Sequence, residues 1–136
     1  MDYSSPADRR KDKRVEDIFT VTYRLRETID VKIKTPDEKQ YTGVAVDISA
    51  GGIGVVVTQK IPAGTRLHLK FTLVNTLSPS DTNRQRTFEL TGQSRHCQPT
   101  HNGAFRAGIL FDDINAEQST FINEYVRVEL LKKTNA

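Results

Sequence analysis

Apolar and polar residues alternate along most of the chain, a pattern typical of β-strands that bury one face and expose the other. The alternating apolar positions are Phe19, Val21, Tyr23 and Leu25; Ile29, Val31 and Ile33; Val44, Val46 and Ile48; Ile53, Val55 and Val57; Leu67, Leu69, Phe71 and Leu73; Phe88 and Leu90; and Phe105, Ala107, Ile109 and Phe111. We therefore predict about six or seven short strands.

Turn-rich segments separate these strands. Residues 35–39 (TPDEK) and 61–65 (IPAGT) place proline beside aspartate or glycine, and these residue types favour tight turns. Residues 75–86 are polar and rich in turn-forming residues, so we predict an exposed loop there.

The periodicity changes to that of a helix near the C-terminus, and we predict a helix over residues 115–133. Asn115 is a candidate N-cap, with Gln118 three residues later as in a capping box. Lys132 and Lys133 suit the other end, because cations interact favourably with a helix C-terminus. We expect this helix to cover an apolar face or one mouth of the β-structure.

Strands at this spacing usually close into a barrel or a sandwich, because an open sheet leaves unpaired edges. The 136 residues are 36% hydrophobic and 27% charged. This composition suits one globular domain that is large enough to bury a core.

Composition also limits the cellular compartments and the classes of function that suit this chain. The single cysteine, Cys97, cannot form an internal disulfide, which suits a reducing compartment. No segment resembles a signal peptide or is long enough to span a membrane, so we expect a cytoplasmic protein without membrane insertion. The net charge of +3 is too small for a dedicated duplex-DNA binder, and we expect no DNA partner.

Positive charge is concentrated near the N-terminus. Between residues 9 and 14, five basic side chains accompany a single acid, Asp12. Such a cluster is ordinarily a solvated tail. Arginine, however, also binds phosphate or the O6/N7 edge of guanine with two donors at once. By itself the cluster is compatible with a tail or with an arm that closes on an anion.

A second polar cluster lies in residues 46–54 (VDISAGGIG). Asp47 and Ser49 are two residues apart, so an extended strand places them on one face, with Val46 and Ile48 facing the core. The glycines that follow permit positive φ or close approach of a ligand to the backbone. Carboxylate, hydroxyl and bare amides suit a guanine edge and a phosphate. A glycine-rich turn whose Asp and Ser satisfy backbone donors has the same sequence pattern.

Together the two clusters resemble the motifs of the PilZ domain family. Residues 9–14 (RRKDKR) resemble its R-x-x-x-R motif with an additional preceding arginine. Residues 47–52 (DISAGG) match its D-x-S-x-x-G motif, in the same order along the chain. Residues 61–73 and 105–114 (FRAGILFDDI) resemble the family's turn-strand segment and its last strand. The resemblance covers residues 9–131.

This resemblance implies a mainly all-β fold, a six-stranded antiparallel PilZ-type β-barrel with a C-terminal α-helix. We accordingly divide the chain into a flexible N-terminus (residues 1–8) and a single PilZ domain (residues 9–131). The predicted parts are a ligand-binding arm (residues 9–17), the β-barrel (residues 18–112) and the helix described above.

The resemblance also implies a ligand, cyclic di-GMP. Arg10 and Arg14 would hold phosphates and guanine edges, and Arg9 would stack on the ligand or contact a phosphate. In some members an arginine at the position of Arg9 accompanies a stacked pair of ligand molecules, so we expect such a pair here.

On the barrel, the resemblance implies that Asp47 and Ser49 bind a guanine and that Gly52 admits the ligand against the backbone. Where some members have an aromatic residue on the strand after Gly92, this chain has Arg95 and His96. His96 is therefore a further candidate for contact with a guanine ring.

The function implied is that of a non-enzymatic receptor whose arm orders around cyclic di-GMP and signals to an unidentified downstream protein. No cofactor is expected besides this ligand. One alternative is a PilZ-like protein-interaction module that binds no nucleotide, although the arginines, Asp47 and Ser49 are all present. Another is single-stranded nucleic-acid binding, for which Tyr23 beside Arg24 and Arg26 is the best cluster.

His96, Cys97 and His101 are the remaining candidates for chemistry. Three candidate ligands in one short loop, without a fourth ligand or a C-x-x-C pair, indicate a metal site only weakly. We predict no metal. No arrangement of residues specifies a catalytic triad, and we predict that the chain is not an enzyme.

Overall fold

The computed structural model describes residues 13–27, 39–75 and 85–134, and these residues form six β-strands and one α-helix. The elements are β1 (Val15–Glu27), β2 (Gln40–Ser49), β3 (Gly52–Val57), β4 (Arg66–Val74), β5 (Gln85–Pro99), β6 (Phe105–Phe111) and α1 (Ala116–Thr134). All neighbouring strands are antiparallel, and the order β1-β2-β3-β6-β5-β4 closes because β1 also pairs with β4. The predicted barrel with a C-terminal helix is confirmed.

The barrel interior is filled by apolar residues at the alternating positions. In β4, Leu67, Leu69, Phe71 and Leu73 are all buried. The ring of Phe71 packs against those of Phe19, Phe88 and Phe111, with centroids between 5.3 and 6.2 Å apart. The same side chains that give the sequence its period of two thus form one core that several strands share.

The apolar face of β2 differs from the predicted one. The alternation predicts that Val44 and Val46 face the core together with Ile48, but Val44 is 42% exposed and Ala45 is completely buried. The pairing of β2 with β3 shifts register between Ala45 and Asp47. The strand therefore bulges at Val46, which reverses the faces on its two sides. Of the three residues predicted to face the core, Ile48 does so, whereas Val44 is exposed and Val46 lies in the bulge.

β5 is longer than predicted. It extends through Pro99, because its first half pairs with β4 and its second half pairs with β6. His96 and Cys97 therefore lie in a strand, and the prediction of a short loop around them is wrong. β1 likewise begins at Val15, three residues before the predicted start of the barrel, so the end of the predicted arm belongs to the first strand.

Some predicted elements lie outside the described residues. The alternating residues Ile29, Val31 and Ile33 are among them, as is most of the predicted loop over residues 75–86.

The helix α1 begins with the predicted capping box. The backbone N–H of Gln118 donates to Asn115 Oδ1 at 2.8 Å, and the N–H of Asn115 donates to Gln118 Oε1 at 3.0 Å. The helix buries Ile122 against the barrel. Tyr125 contacts the beginning of β1, and Phe121 contacts the beginning of β5. In the described part of the chain, no helix has the length and apolar character needed to cross a membrane.

Candidate functional site

The two predicted motifs meet where β1 begins and β2 ends. Arg14 directly precedes β1, and Glu16 of that strand pairs with Asp47 of β2. The Arg14 guanidinium donates from Nη1 to Asp47 Oδ1 at 2.5 Å, across 33 residues of sequence. The barrel therefore brings the last arginine of the first motif beside the first residue of the second.

Asp47 occupies a space that a glycine creates. The Asp47 side chain is only 5% exposed, and its partner on β3 is Gly54. A Cβ atom at Gly54 would lie 2.8 and 2.9 Å from the two carboxylate oxygens. Any larger residue at this position would displace the carboxylate, so Gly54 belongs to the site although it is outside the predicted set.

Asp47 has a second arginine partner that the sequence analysis did not predict. Arg106 of β6 donates from Nη2 to Asp47 Oδ2, so each carboxylate oxygen contacts one guanidinium group. The side chain of Arg106 is 53% exposed, compared with 21% for Arg14. Alternation with the buried Ala107 indicates that Arg106 points outward, but no sequence signal indicates its contact with Asp47.

Arg14 itself is only partly satisfied. Its Nε atom is buried and has no hydrogen-bond partner among the described residues. A buried N–H without an acceptor costs free energy. A ligand that accepts a hydrogen bond from Arg14 Nε, or a rearrangement of the Arg14 side chain, would remove this cost.

Ser49 and Gly52 have structural contacts of their own. Ser49 is buried, and its Oγ accepts a hydrogen bond from the N–H of Gly51 at 3.2 Å. A Cβ atom at Gly52 would lie 2.4 Å from the carbonyl oxygen of Ile109 on β6, so the close approach at Gly52 is to protein backbone. Neither Ser49 nor Gly52 lines the groove described next, and their contacts with a ligand stay predictions.

A groove of about 360 Å³ opens beside the Arg14–Asp47 pair on the outer surface of the barrel. Its charged lining consists of Arg14, Arg95, Arg106 and Asp47. Three guanidinium groups therefore face one carboxylate, which leaves two positive charges in excess. A concave surface with this balance attracts an anion.

Two glycines lie side by side beneath the groove and leave room for side chains of the neighbouring strands. Gly54 on β3 pairs with Gly108 on β6, and His96 of β5 covers Gly108. A Cβ atom at Gly108 would lie 2.2 Å from Cε1 of His96, so the imidazole ring rests directly on the backbone. His96 thus lines the groove, and its contact with a guanine stays a prediction.

A second hollow, of about 490 Å³, adjoins the groove on the side of α1. It is lined by Glu16, Asp17, Ile18, Val46, Arg106 and Lys133. Arg106 lines both spaces, and Ile18 is 76% exposed. The Tyr125 hydroxyl of α1 donates to Asp17 Oδ2, so β1 connects the helix directly to the strand start beside Arg14.

The remaining candidate site residues either lie outside the described residues or lie apart from one another. Arg9 and Arg10 lie outside the described residues. His96 lies in the groove, whereas Cys97 packs against the core and accepts a hydrogen bond from the N–H of Ile61 at 3.4 Å. Among the described residues, no three His, Cys, Asp or Glu side chains are grouped so that they could hold a metal ion.

Comparison with protein families matches the PilZ domain over residues 8–127. A comparison with curated proteins finds no match.

Several solved structures are similar to this chain. One is the inhibitor of motility MotI/DgrA from Bacillus subtilis, at 20% identity and a TM-score of 0.69 over 92% of this chain. This chain covers 52% of that protein, about half of its length. Another is the PilZ domain of YcgR from Escherichia coli with c-di-GMP, at 13% identity and a TM-score of 0.58, covering 93% of this chain and 96% of that one.

A third similar structure is the MrkH–c-di-GMP complex from K. pneumonia. It is 12% identical with a TM-score of 0.57, and the match covers 93% of this chain and 55% of that one. At such identities the likeness establishes the fold.

Proposed function

The chain belongs to the PilZ domain family, and from this membership and its groove we propose that it is a non-enzymatic receptor for cyclic di-GMP in the cytoplasm. The observation that carries the proposal is the contact between Arg14 and Asp47. It joins one member of each motif at the edge of a cationic groove. The similar structures of YcgR and MrkH contain c-di-GMP, which supports the same ligand class here.

In this proposal the arginines bind the phosphates and the Hoogsteen edges of guanine. Each guanidinium offers two parallel N–H donors to a phosphate or to guanine O6 and N7. Arg14 approaches from the start of β1, and Arg9 and Arg10 precede it in the chain. Because Arg14 and its buried Nε already lie at the groove, Arg14 is the anchor from which the preceding residues close over the ligand.

Asp47 and Ser49 are proposed to contact the ligand from the barrel. A carboxylate accepts the N1–H and N2–H donors of guanine, which adenine lacks in this arrangement. The Ser49 hydroxyl accepts from the backbone N–H of Gly51 and is buried, so its proposed contact with the guanine requires this turn to rearrange. Gly52 contributes by letting β3 approach β6 closely, which shapes the hairpin that presents both side chains.

Ligand binding is proposed to order the residues before β1 and to create a surface for a downstream protein. β1 provides a physical connection for this signal. Arg14 lies at its start, and Asp17, three residues later, holds the hydroxyl of Tyr125 on α1. An additional arginine, Arg9, before the R-x-x-x-R motif supports binding of a stacked pair of ligand molecules.

A second function, a protein-interaction module without nucleotide, is favoured by one specific observation. Both oxygens of Asp47 contact arginines, and Ser49 contacts the backbone of its own turn. These motif residues therefore have a structural role that needs no ligand. The exposed Ile18 beside the second hollow would then belong to the contact surface.

Calorimetric titration with cyclic di-GMP decides between the two functions. If the chain is a receptor, titration should give saturable heat. Arg10→Ala and Arg14→Ala should then lose affinity severely, and the matched control Lys11→Ala should lose little. Asp47→Ala should lose the preference for the guanine dinucleotide over its adenine analogue. The fitted stoichiometry reports whether one or two ligands bind. A wild-type chain that releases no heat with cyclic di-GMP is the result expected of the interaction module.

A further inference from the structure

Arg106 reaches Asp47 across a whole strand. It lies on β6 between Val56 of β3 and Gln98 of β5, whereas Asp47 lies on β2, on the far side of β3. Since neighbouring strands are about 4.8 Å apart, the crossing spans roughly 10 Å. The Arg106 side chain therefore lies over the sheet along one margin of the groove.

Asp47 engages only part of the Arg106 guanidinium. Among the described residues, Asp47 Oδ2 is the one side-chain acceptor to which Arg106 donates, and a guanidinium carries five N–H donors. The Arg106 side chain is 53% exposed and lines the groove. Donors that Asp47 does not use are therefore accessible to a ligand there.

The cluster of Arg14, Asp47 and Arg106 carries more positive charge than is needed to neutralise its carboxylate. Asp47 is already neutralised by Arg14, which contacts its Oδ1. Arg106 contacts the second oxygen of the same carboxylate, so two guanidinium groups share one negative charge. A cluster that served only to brace the strands would be satisfied by one arginine, whereas the additional charge suits an anionic ligand.

We propose that Arg106 is a ligand-binding residue of this groove: Asp47 holds it in the empty site, and a phosphate of the bound cyclic dinucleotide takes over its guanidinium. The inference rests on the function proposed above. A guanine that donates N1–H and N2–H to Asp47 competes with Arg14 and Arg106 for the acceptor sites of the two carboxylate oxygens. The released guanidinium groups can then each donate two parallel hydrogen bonds to a phosphate.

Calorimetric titration of the full chain with cyclic di-GMP at several KCl concentrations tests this inference. The variants are Arg106→Gln, Arg106→Lys and the matched control Arg127→Gln. Arg127 is 60% exposed and pairs with Glu124 on α1, so it has a similar exposure and a carboxylate partner outside the groove. We expect about a tenfold or greater loss of affinity in Arg106→Gln, which corresponds to one charge-assisted hydrogen bond. Arg106→Lys should lose less, since lysine binds phosphate as a point charge, and Arg127→Gln should change affinity by less than about twofold.

The salt dependence separates a ligand contact from a role in positioning Asp47. Loss of a contact between a cation and a phosphate flattens the dependence of affinity on KCl, because one screened attraction is removed. Unchanged affinity in Arg106→Gln, or weaker affinity with the wild-type salt dependence, overturns the inference and leaves the receptor function standing. A wild-type chain that does not bind cyclic di-GMP overturns both.

If Arg106→Gln does not fold, Arg106→Lys decides the inference, because it keeps the charge beside Asp47. The inference then requires weaker binding than that of the wild type, and wild-type affinity in Arg106→Lys overturns it. Circular dichroism of each variant establishes that the barrel has folded.

Discussion

Arg14 and Asp47 are separated by 33 residues of sequence, yet Arg14 Nη1 lies 2.5 Å from Asp47 Oδ1. Arg106 contacts the other carboxylate oxygen, so Asp47, near the end of β2, links the start of β1 to the start of β6. Because the Asp47 side chain is 5% exposed, these bonds are largely shielded from water. The same cluster therefore stabilises the barrel and forms the wall of the candidate site.

Replacing Asp47 by alanine should destabilise the barrel. The change removes two charge-assisted hydrogen bonds and leaves two guanidinium groups close together, so we expect a loss of about 2 kcal/mol in the free energy of unfolding. Urea denaturation monitored by circular dichroism measures this loss. Glu124→Gln is the control, because Glu124 also pairs with an arginine but is exposed, and its loss should stay below about 0.5 kcal/mol. Equal losses in the two variants would contradict a structural role for Asp47.

Two neighbouring glycines should respond to alanine through different contacts. A methyl group at Gly52 would meet the backbone oxygen of Ile109 at 2.4 Å, which cannot move easily, so Gly52→Ala should destabilise the fold by about 1–3 kcal/mol. A methyl group at Gly54 would meet the side-chain oxygens of Asp47, which can rotate away from their arginines. Gly54→Ala should therefore lose the contacts of Asp47 with Arg14 and Arg106, at a cost similar to that of Asp47→Ala, and should also lose affinity for cyclic di-GMP. Thermal unfolding and calorimetry of both variants check these expectations, and a Gly54→Ala variant with wild-type affinity would refute the second.

The capping box of α1 should contribute measurably to stability. Asn115 accepts from the N–H of Gln118 at 2.8 Å, so Asn115→Ala leaves that donor without its partner and should cost about 1 kcal/mol. Asn123→Ala is a suitable control, because Asn123 is exposed on the same helix. The midpoint of thermal unfolding should fall in the first variant and stay nearly constant in the second.

The hydrogen bond between Tyr125 and Asp17 should fix α1 to β1. Tyr125→Phe removes the hydroxyl that donates to Asp17 Oδ2 and should cost about 1–2 kcal/mol. Asp17→Asn weakens the same bond, so the double variant should be less destabilised than the sum of the two single variants. Urea denaturation of the four chains gives this coupling energy, and strictly additive losses would show that the bond contributes no stability.

The stability of the barrel should fall in alkaline solution. Burial, together with the neighbouring Tyr41 and Cys97, raises the pKa of Tyr23 from 10.0 to about 12. Burial and the bond to Asp17 also raise the pKa of Tyr125. Since each phenol ionises more readily in the unfolded chain, their contribution is fully present below pH 10 and for Tyr23 is lost as the pH rises through about 12.

Denaturant titrations between neutral pH and pH 12, with tyrosinate absorbance recorded in parallel, measure this loss. Tyr23→Phe should show a smaller decrease in stability over the same range, because phenylalanine does not ionise. A decrease equal to that of the wild type would contradict the assignment to Tyr23.

Much of the fold could be predicted from local pattern. The period-two alternation in β4, with Leu67, Leu69 and Leu73 buried, correctly identified that strand and its inner face. The pair Asn115 and Gln118 correctly located the start of α1. These predictions succeed because the hydrophobic period and the capping bonds involve residues close in sequence.

The face of β2 and the length of β5 were predicted wrongly for a common reason. The bulge at Val46 depends on the register between β2 and β3, and the extension of β5 to Pro99 depends on its second partner, β6. Pairing between distant segments decides both, and a one-residue shift reverses every side chain beyond it.

Residue type and short spacing were sufficient to predict a closed β-structure, the terminal helix and the two motifs that contain Arg14 and Asp47, and the resemblance to the PilZ family selected a barrel over a sandwich. Tertiary structure alone decided that Arg106 shares Asp47, that Gly54 and Gly108 form one floor, and that His96 covers it. The physical reason is that closing the barrel sets which outward side chains of separate strands become neighbours. Alternation specifies that a residue points outward, and the register of the paired strands specifies what it contacts.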